Sequence, residues 1–330
     1  MVSWIEKLKY NPTEPLLSSG NSAVIYFIKR DLLNEKVGPI EEISELSEVK
    51  KILKKQKDNG SFGPKSKNPL TETWRQLRFL VDQYDLTKQH SAVESAAEFV
   101  FTCQSQEGDI RGILGNQYAP YYTGAILYLL IKAGYEKDKR VEKGMKWLID
   151  MRQNDGGWVI GSPGLINHSW KEVCEITGNK DIEPIKDFDK TKPFSAAGTG
   201  MVIRAFSVHP KYKNSEYTLK AAQLLKSKFF RKDNWTWYKH PDNWVRFQFP
   251  YWWNHLVAAM DSISLIGLSK EDEDIQNALQ WFMDNQQKNG LWKISYSKIH
   301  KTSDNKKNIE TQLWISLSIC RIMKRIFGAL

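Results

Sequence analysis

Asp109 and Arg111 flank an isoleucine just past a glycine, and Arg75, Arg204 and Arg246 place further guanidinium groups in or just before apolar stretches. Guanidinium forks gathered beside helix N-termini suit a diphosphate, while an Asp–Arg pair serves equally to brace neighbouring turns. His255, beside Asn254 in Pro250-Tyr-Trp-Trp-Asn-His255, is the imidazole best placed to act as a general base. The carboxylates that enter as catalytic candidates are Asp109 and Asp187, the latter in Asp187-Phe-Asp-Lys190. Tyr121, Tyr122, Trp244, Trp252, Trp253 and Trp314 surround these positions in sequence with ring faces that attract cations and can wall an apolar ligand, although aromatic stripes also build ordinary cores. His168 and Cys174, with Trp170 between them, form a Cys/His pair on paper without a third partner fixed by spacing.

The elements that must position these groups are announced by one recurring phrase. Met151-Arg-Gln-Asn-Asp-Gly-Gly-Trp158 has near-copies at Gln56-Lys-Asp-Asn-Gly-Ser-Phe62, Gln104-Ser-Gln-Glu-Gly-Asp-Ile110 and Gln286-Gln-Lys-Asn-Gly-Leu-Trp292. In each, Gln56, Gln104, Gln153 or Gln286 ends an amphipathic helix. Gly60, Gly108, Gly156 or Gly290 then supplies the left-handed backbone that stops it, and Trp158, Trp292 or an apolar equivalent pins the turn. The near-even spacing predicts a repeat array, 1–330 as a single domain, with 159–192 as an irregular insertion rich in Gly, Pro and Asp.

Helix patterns fill the intervals. Amphipathic segments carry Val49, Ile52 and Gln56, then Val93, Ala97, Val100 and Gln104, then Val141, Met145 and Leu148, and later Ile275, Leu279, Phe282 and Gln286. Between them run segments apolar on more than one face: 16–33, 69–84, 119–133, 194–208, 251–266 and 309–326. Amphipathic 216–229 lacks the closing phrase, which is replaced by Lys232-Asp-Asn-Trp-Thr-Trp237 and Trp244-Val-Arg-Phe247. Tyr118, Tyr121, Tyr122 and Ala125 are expected on one helical face, and several of Trp244, Trp252 and Trp253 on another. Thr73, Thr123, Thr199 and Thr311, with Asn254, recur near the starts of the apolar helices, where they serve either helix-start hydrogen bonding and close packing or contact with a ligand. Alternating helices of these two kinds predict an all-α fold, a closed double ring of about six helical hairpins.

Hydrophobic residues make up 41% of the chain, with 13 Trp, 13 Tyr and 14 Phe, enough for a large core. The formal charge of +10 is spread along the chain, which fits a solvated surface and leaves peripheral contact with an anionic membrane open. Charge alone is no ground for nucleic-acid binding. Cys103, Cys174 and Cys320 are scattered and suit a reducing compartment, and the segment MVSWIEKLKYNP lacks an apolar signal core, so a cytoplasmic location is the expectation.

The repeated Gln–Gly–Trp phrase resembles that of the α/α-toroid superfamily of squalene and hopene cyclases, class II terpene cyclases and protein prenyltransferase β subunits. The likeness is nearest to the small, single-domain, prokaryotic squalene cyclase-like or prenyltransferase-like proteins. Gly108-Asp-Ile-Arg-Gly112, Tyr118-Ala-Pro-Tyr-Tyr122 and Trp244-Val-Arg-Phe-Gln-Phe-Pro250 carry it further. The resemblance implies a central apolar cavity with its chemistry at one mouth. It also implies an Asp-x-Asp-Asp acid motif at an apolar helix start, and Ser195-Ala-Ala-Gly198 before Thr199 holds no carboxylate there. The prenyltransferase zinc set of Asp, Cys and His is likewise not matched: no Cys follows an Asp by two, and Ile309-Glu-Thr-Gln-Leu-Trp314 lacks His. No metal site and no other cofactor is expected.

The function implied is binding of an isoprenoid or other elongated apolar small molecule, with terpene cyclase-like or prenyltransferase-like catalysis in view. The alternative is a non-catalytic interaction module that binds a protein partner through a ring end or the 159–192 loop. A sugar-processing barrel would need paired carboxylates across a groove, for which Glu72, Asp109, Asp261 and Glu310 are available.

Overall fold

The computed structural model describes residues 4–63, 68–235, 240–299 and 302–328. Thr236 and Trp237, from the stretch that replaces a closing phrase, lie outside the described residues. The chain forms two compact units, Ile40–Leu224 and a second made of Met1–Pro39 with Leu225–Leu330. Among the described residues there is no strand, only isolated bridges such as Gln56 with Phe62 and Gln104 with Ile110. The fold is all-α.

The first chain end supplies α1 (Thr13–Leu17) and α2 (Ser22–Phe27). Where one helix over 16–33 is predicted there are two, because Gly20 takes a φ of +71° and the Asn21 side chain restarts the helix by accepting the Val24 N–H. Then come α3 (Ser47–Leu53), α4 (Pro69–Leu77), α5 (Ser91–Thr102), α6 (Pro120–Leu130), α7 (Lys139–Asp150), α8 (Trp170–Gly178), α9 (Ala196–Val208) and α10 (Glu216–Lys226). The helices α11 (Leu256–Ile266), α12 (Glu273–Asp284) and α13 (Lys306–Phe327) complete the second unit. In α5 and α7 one face is buried, whereas α6 and α9 are buried nearly all round. Gly124 lets those two approach, since a Cβ there would stand 2.7 Å from the Val202 Cα. Three apolar helices end in a wider π turn, α2 at Ile28–Leu32, α4 at Arg78–Gln83 and α6 at Ile131–Tyr135.

The repeated phrase works through the Gln amide. Gln56 Nε2 donates to its own turn at Gly60 O (3.0 Å) and to Ala92 O in the first turn of α5 (2.7 Å). Gln104 repeats this on Gly108 O and Arg140 O, and Gln286 on Gly290 O and Tyr10 O. Each amide therefore ties one helix end to the neighbouring segment. Gln153, whose glycine comes one residue earlier, donates instead to Asp189 O and Lys192 O and so anchors the insertion. At Gly60 a side chain is excluded twice over, by a φ of +81° and by Ser95 O only 2.1 Å from where a Cβ would sit.

The residue closing each phrase hangs on the next apolar helix. The N–H groups of Phe62, Ile110 and Trp158 donate to the hydroxyls of Thr73, Thr123 and Thr199, and Trp292 N–H donates to Ser316 Oγ. Ser316 thus holds the place expected of Thr311, which is partly exposed and bonds back to Lys307 O, because α13 starts earlier than the pattern suggests. Thr199→Val is expected to cost about 1–3 kcal/mol, since a buried N–H loses its acceptor, whereas Thr311→Val should change stability by less than about 0.5 kcal/mol. Denaturant melts of the two variants check the assignment.

Two further boundaries differ from expectation. α11 begins only at Leu256, so Trp252 and Trp253 lie in the preceding loop and share no helical face. Tyr118 precedes the Pro120 that opens α6 and packs instead on Trp147 and Phe188. The 159–192 insertion is not wholly irregular, for it contains α8, capped by Ser169 and Glu172 in reciprocal hydrogen bonds. No helix among the described residues is long and apolar enough to cross a membrane.

Candidate functional site

A charge in a helix that is buried all round must find its partner inside the protein. α9 and the turn extending α4 carry such charges, Arg204 and Arg78 with Asp82, and the unit Ile40–Leu224 brings them together with Lys132, which follows α6 and is a quarter exposed. Asp82 is the hub. Its Oδ1 accepts from the Tyr128 hydroxyl at 2.5 Å and from Lys132 Nζ at 3.1 Å, and its Oδ2 pairs with Arg204 Nη2 at 3.2 Å. The Arg204 guanidinium also lies over the Tyr128 ring, 4.0 Å from its centre. Asp82 and Lys132 both belong to the π turns that extend α4 and α6, and the wider turn sets them off the ordinary helical stripe.

Arg78 lies one turn before Asp82 with its guanidinium 5.2 Å from the centre of the Trp74 ring. Trp74 meets Tyr122 edge-on at 5.3 Å, and Tyr122 meets Tyr121 at 4.7 Å. Arg75, on the same helix, donates to Glu72 at 2.5 Å and is the more exposed guanidinium. Two predicted arginines, Arg75 and Arg204, and two predicted tyrosines, Tyr121 and Tyr122, therefore belong to one neighbourhood around Arg78.

Burial disfavours the charged form of Asp82, but the charges of Lys132 and Arg204 and the Tyr128 hydroxyl outweigh it and hold the carboxyl below its ordinary value. Lys132 is raised in turn: burial opposes its charge, and Tyr128, Asp82 and Asp85 more than restore it. Arg78 moves the other way. Burial, followed by the like charge of Arg204, brings it down to about 9 despite the pull of Asp82. The neighbourhood is thus a set of permanently charged groups with one guanidinium under electrostatic pressure.

Asp109 and Arg111 form a separate cluster at the second repeat turn. Asp109 is fully buried, accepts from Ser105 Oγ with one oxygen, and pairs with Arg111 Nε at 2.8 Å with the other. Arg111 continues to Glu107 at 3.1 Å and lies over the Tyr118 ring, whose hydroxyl donates to both Glu107 oxygens. Burial and that bond to Glu107 push the Tyr118 phenol up to about 12. This is the geometry of a braced turn. Asp187 is exposed in the insertion, as are Trp170 and Cys174 on α8.

The other unit holds the remaining candidates. His255 caps α11, its Nδ1 accepting the Ala258 N–H and its Nε2 facing the backbone of Gln248, so both ring nitrogens meet main-chain groups. Trp253 touches its ring, while Trp252 is half-buried in the same loop. Trp314 is buried on α13 and stacks on Phe249, Trp244 donates from Nε1 to Arg231 O, and Arg246 lies in an extended bridge with Ser295. Among the described residues no three His, Cys, Asp or Glu side chains gather as a metal site requires.

Arg78, Asp82, Tyr128 and Lys132 were missed from sequence. The available signal was a charge inside an apolar run, in Leu77-Arg-Phe-Leu-Val-Asp82 and in Leu129-Leu-Ile-Lys132, where no polar face exists to receive it.

Residues 66–182 match the family model of the squalene-hopene cyclase C-terminal domain. No curated protein sequence matches the chain. Among solved structures, the fold is similar to that of a polysaccharide lyase at a TM-score of 0.50 and 12% identity, over 94% of this chain and 90% of that one. A type II terpene cyclase from Scytonema aligns at a TM-score of 0.43 and 12% identity, over 96% of this chain and 99% of that chain. A protein from Actinoplanes aligns at a TM-score of 0.42 and 12% identity over 87% of each chain. Residues 66–182 thus resemble the squalene-hopene cyclase C-terminal domain, within a chain that is all-α among its described residues.

Proposed function

We propose that this protein is a terpene cyclase-like α/α toroid that binds an isoprenoid or other elongated apolar ligand against the aromatic side chains of α4 and α6. The observation that supports the reading best is the Trp74, Tyr121 and Tyr122 group with buried Arg78 beside it, ring faces and fixed positive charge in one corner of an apolar helix set. The reading is of a binding scaffold more than of a cyclase that protonates its substrate. Protonating an alkene requires a carboxyl kept neutral and acidic, and Asp82, the carboxylate on Tyr128, Lys132 and Arg204, is held ionised by its neighbours.

Thermal melts of the full chain with geranylgeraniol, squalene, farnesyl and geranylgeranyl diphosphate and an acidic oligosaccharide test the proposal. The prenyl compounds are expected to raise the melting temperature through preferential binding to the folded state, and a shift with the oligosaccharide alone would overturn the isoprenoid reading. A second reading, an interaction module, draws support from α8, where no residue is buried and Trp170 is 60% exposed. Deletion of 170–178 that leaves the prenyl response intact but abolishes binding to a protein partner would favour it.

A further inference from the structure

We propose that the surface made by Lys288, Lys298, Ile299, Lys306, Lys307 and Ile309 is where this protein docks on an anionic lipid bilayer. The inference is independent of the ligand reading above and concerns the unit formed by Met1–Pro39 with Leu225–Leu330.

The stretch from Lys288 to Ile309 carries six lysines, no arginine and one acid, Asp304. In another basic stretch, 211–232, Lys211 pairs with Glu142, and Lys226 with Asp272 and Asp274. Here Lys288, Lys298, Lys306 and Lys307 are exposed, and none of the four has an ion pair among the described residues. Their charge is available to an outside partner. Lys306 and Lys307 do not serve their own helix either. They open α13, no acid stands in its first turn, and the backbone there already presents positive partial charge.

Apolar surface accompanies the charge. Ile299, at 62%, and Ile309, at 52%, are the most exposed large aliphatic side chains among the described residues. None of Lys306 to Gln312 is buried, so about two turns of α13, roughly 10 Å of helix, stand clear before Leu313 enters the core. The preceding chain is folded against this end of α13. Asn308 Nδ2 donates to Ser303 O at 2.8 Å, and Gln312 Nε2 donates to Gln287 Oε1 at 2.7 Å, which brings the turn at Lys288 alongside. Lys298 N–H donates to Asp242 Oδ2 at 3.2 Å and Ile299 N–H to Ser297 Oγ at 3.2 Å, so the backbone of this pair is held in place.

An anionic bilayer answers both features at once. Lysines meet its charged headgroups while remaining hydrated, and the isoleucines reach the boundary with the acyl chains. A nucleic acid would answer only the charge, its recognition favours arginine, and its phosphate backbone gives an isoleucine nothing apolar to enter.

The test is co-sedimentation of the full chain with vesicles of phosphatidylcholine alone and of phosphatidylcholine with 30% phosphatidylglycerol. Binding to the anionic vesicles is expected to exceed binding to the neutral ones by about tenfold or more, and to fall between 0.1 and 0.5 M NaCl. A lysine near such a surface contributes about a fivefold gain, so Lys306→Gln with Lys307→Gln should weaken binding about 25-fold. Ile299→Ser with Ile309→Ser should weaken it about tenfold or more. Lys54→Gln with Lys55→Gln, an equal loss of charge in the other unit, should stay within about twofold of wild type. All these positions but partly masked by nothing are exposed, and melting temperatures should match that of the wild type. Absent binding to anionic vesicles, or equal binding to both kinds, overturns the proposal. So does an Ile double variant that binds like the wild type, or a Lys54 and Lys55 variant that loses as much as the Lys306 and Lys307 variant, since either result reduces the effect to net charge. Retention on duplex DNA that depends on Lys306 and Lys307, without vesicle binding, would assign the surface to nucleic acid instead.

Discussion

An Asp82→Asn variant is expected to lose about 3–5 kcal/mol of stability at neutral pH, the cost of leaving buried Arg204, with partly exposed Lys132 beside it, without its carboxylate. Asn keeps the shape and can still accept from Tyr128, so the loss reports charge rather than volume. Its pH dependence follows from linkage. The folded carboxyl titrates below its ordinary value of 3.8, so its contribution is fully present above that value and is lost as the pH falls through the lower folded value. The gap between wild type and variant should therefore hold from neutral pH down to about pH 4 and narrow below it. Urea melts across this range give the answer, and a variant that matches wild type at neutral pH would remove Asp82 from the centre of the site.

Trp158→Ala should destabilise by about 3–5 kcal/mol, as expected for truncating a buried Trp. Trp158 is fully buried, its ring packs on Phe206, and its Nε1 donates to Leu148 O at 2.7 Å. Trp158→Phe separates these contributions: it restores most of the packing and leaves the Leu148 carbonyl without its donor, for an expected loss of about 1–3 kcal/mol. Trp170→Ala, at an exposed position on α8, is the control and should stay within about 0.5 kcal/mol of wild type. A Trp158 loss no larger than the Trp170 loss would mean that the closing aromatic does not hold the turn.

The repeat phrase was readable because its physics is local. A Gln, a Gly and an aromatic in one turn state where a helix ends, and the periods of the intervening runs state which helices are buried on one face and which on several. The structure adds what each residue bonds to: Gln56 and Gln104 reach carbonyls 36 residues onward, a distance along the chain no local pattern encodes. The boundaries that moved did so for reasons of the same kind. Gly20 and Asn21 split the first predicted helix, and the His255 cap shortened α11 and left Trp252 and Trp253 in a loop.

Of the candidate site, the sequence determined its residue types and little of its membership. Arg75, Tyr121, Tyr122 and Arg204 were singled out, and they share a neighbourhood, while Asp109 and Arg111, chosen by the same reasoning, brace a turn. Only packing distinguishes the two cases, because a charge pair two residues apart closes on itself, whereas Asp82 and Arg204, 122 residues apart, meet only when α4, α6 and α9 assemble. By itself the sequence determined an all-α repeat with alternating helix types, since helix periodicity and turn chemistry act over a few residues. Which charges are buried together was decided by tertiary structure, because the cost of burying a charge is set by neighbours that the chain brings in from afar.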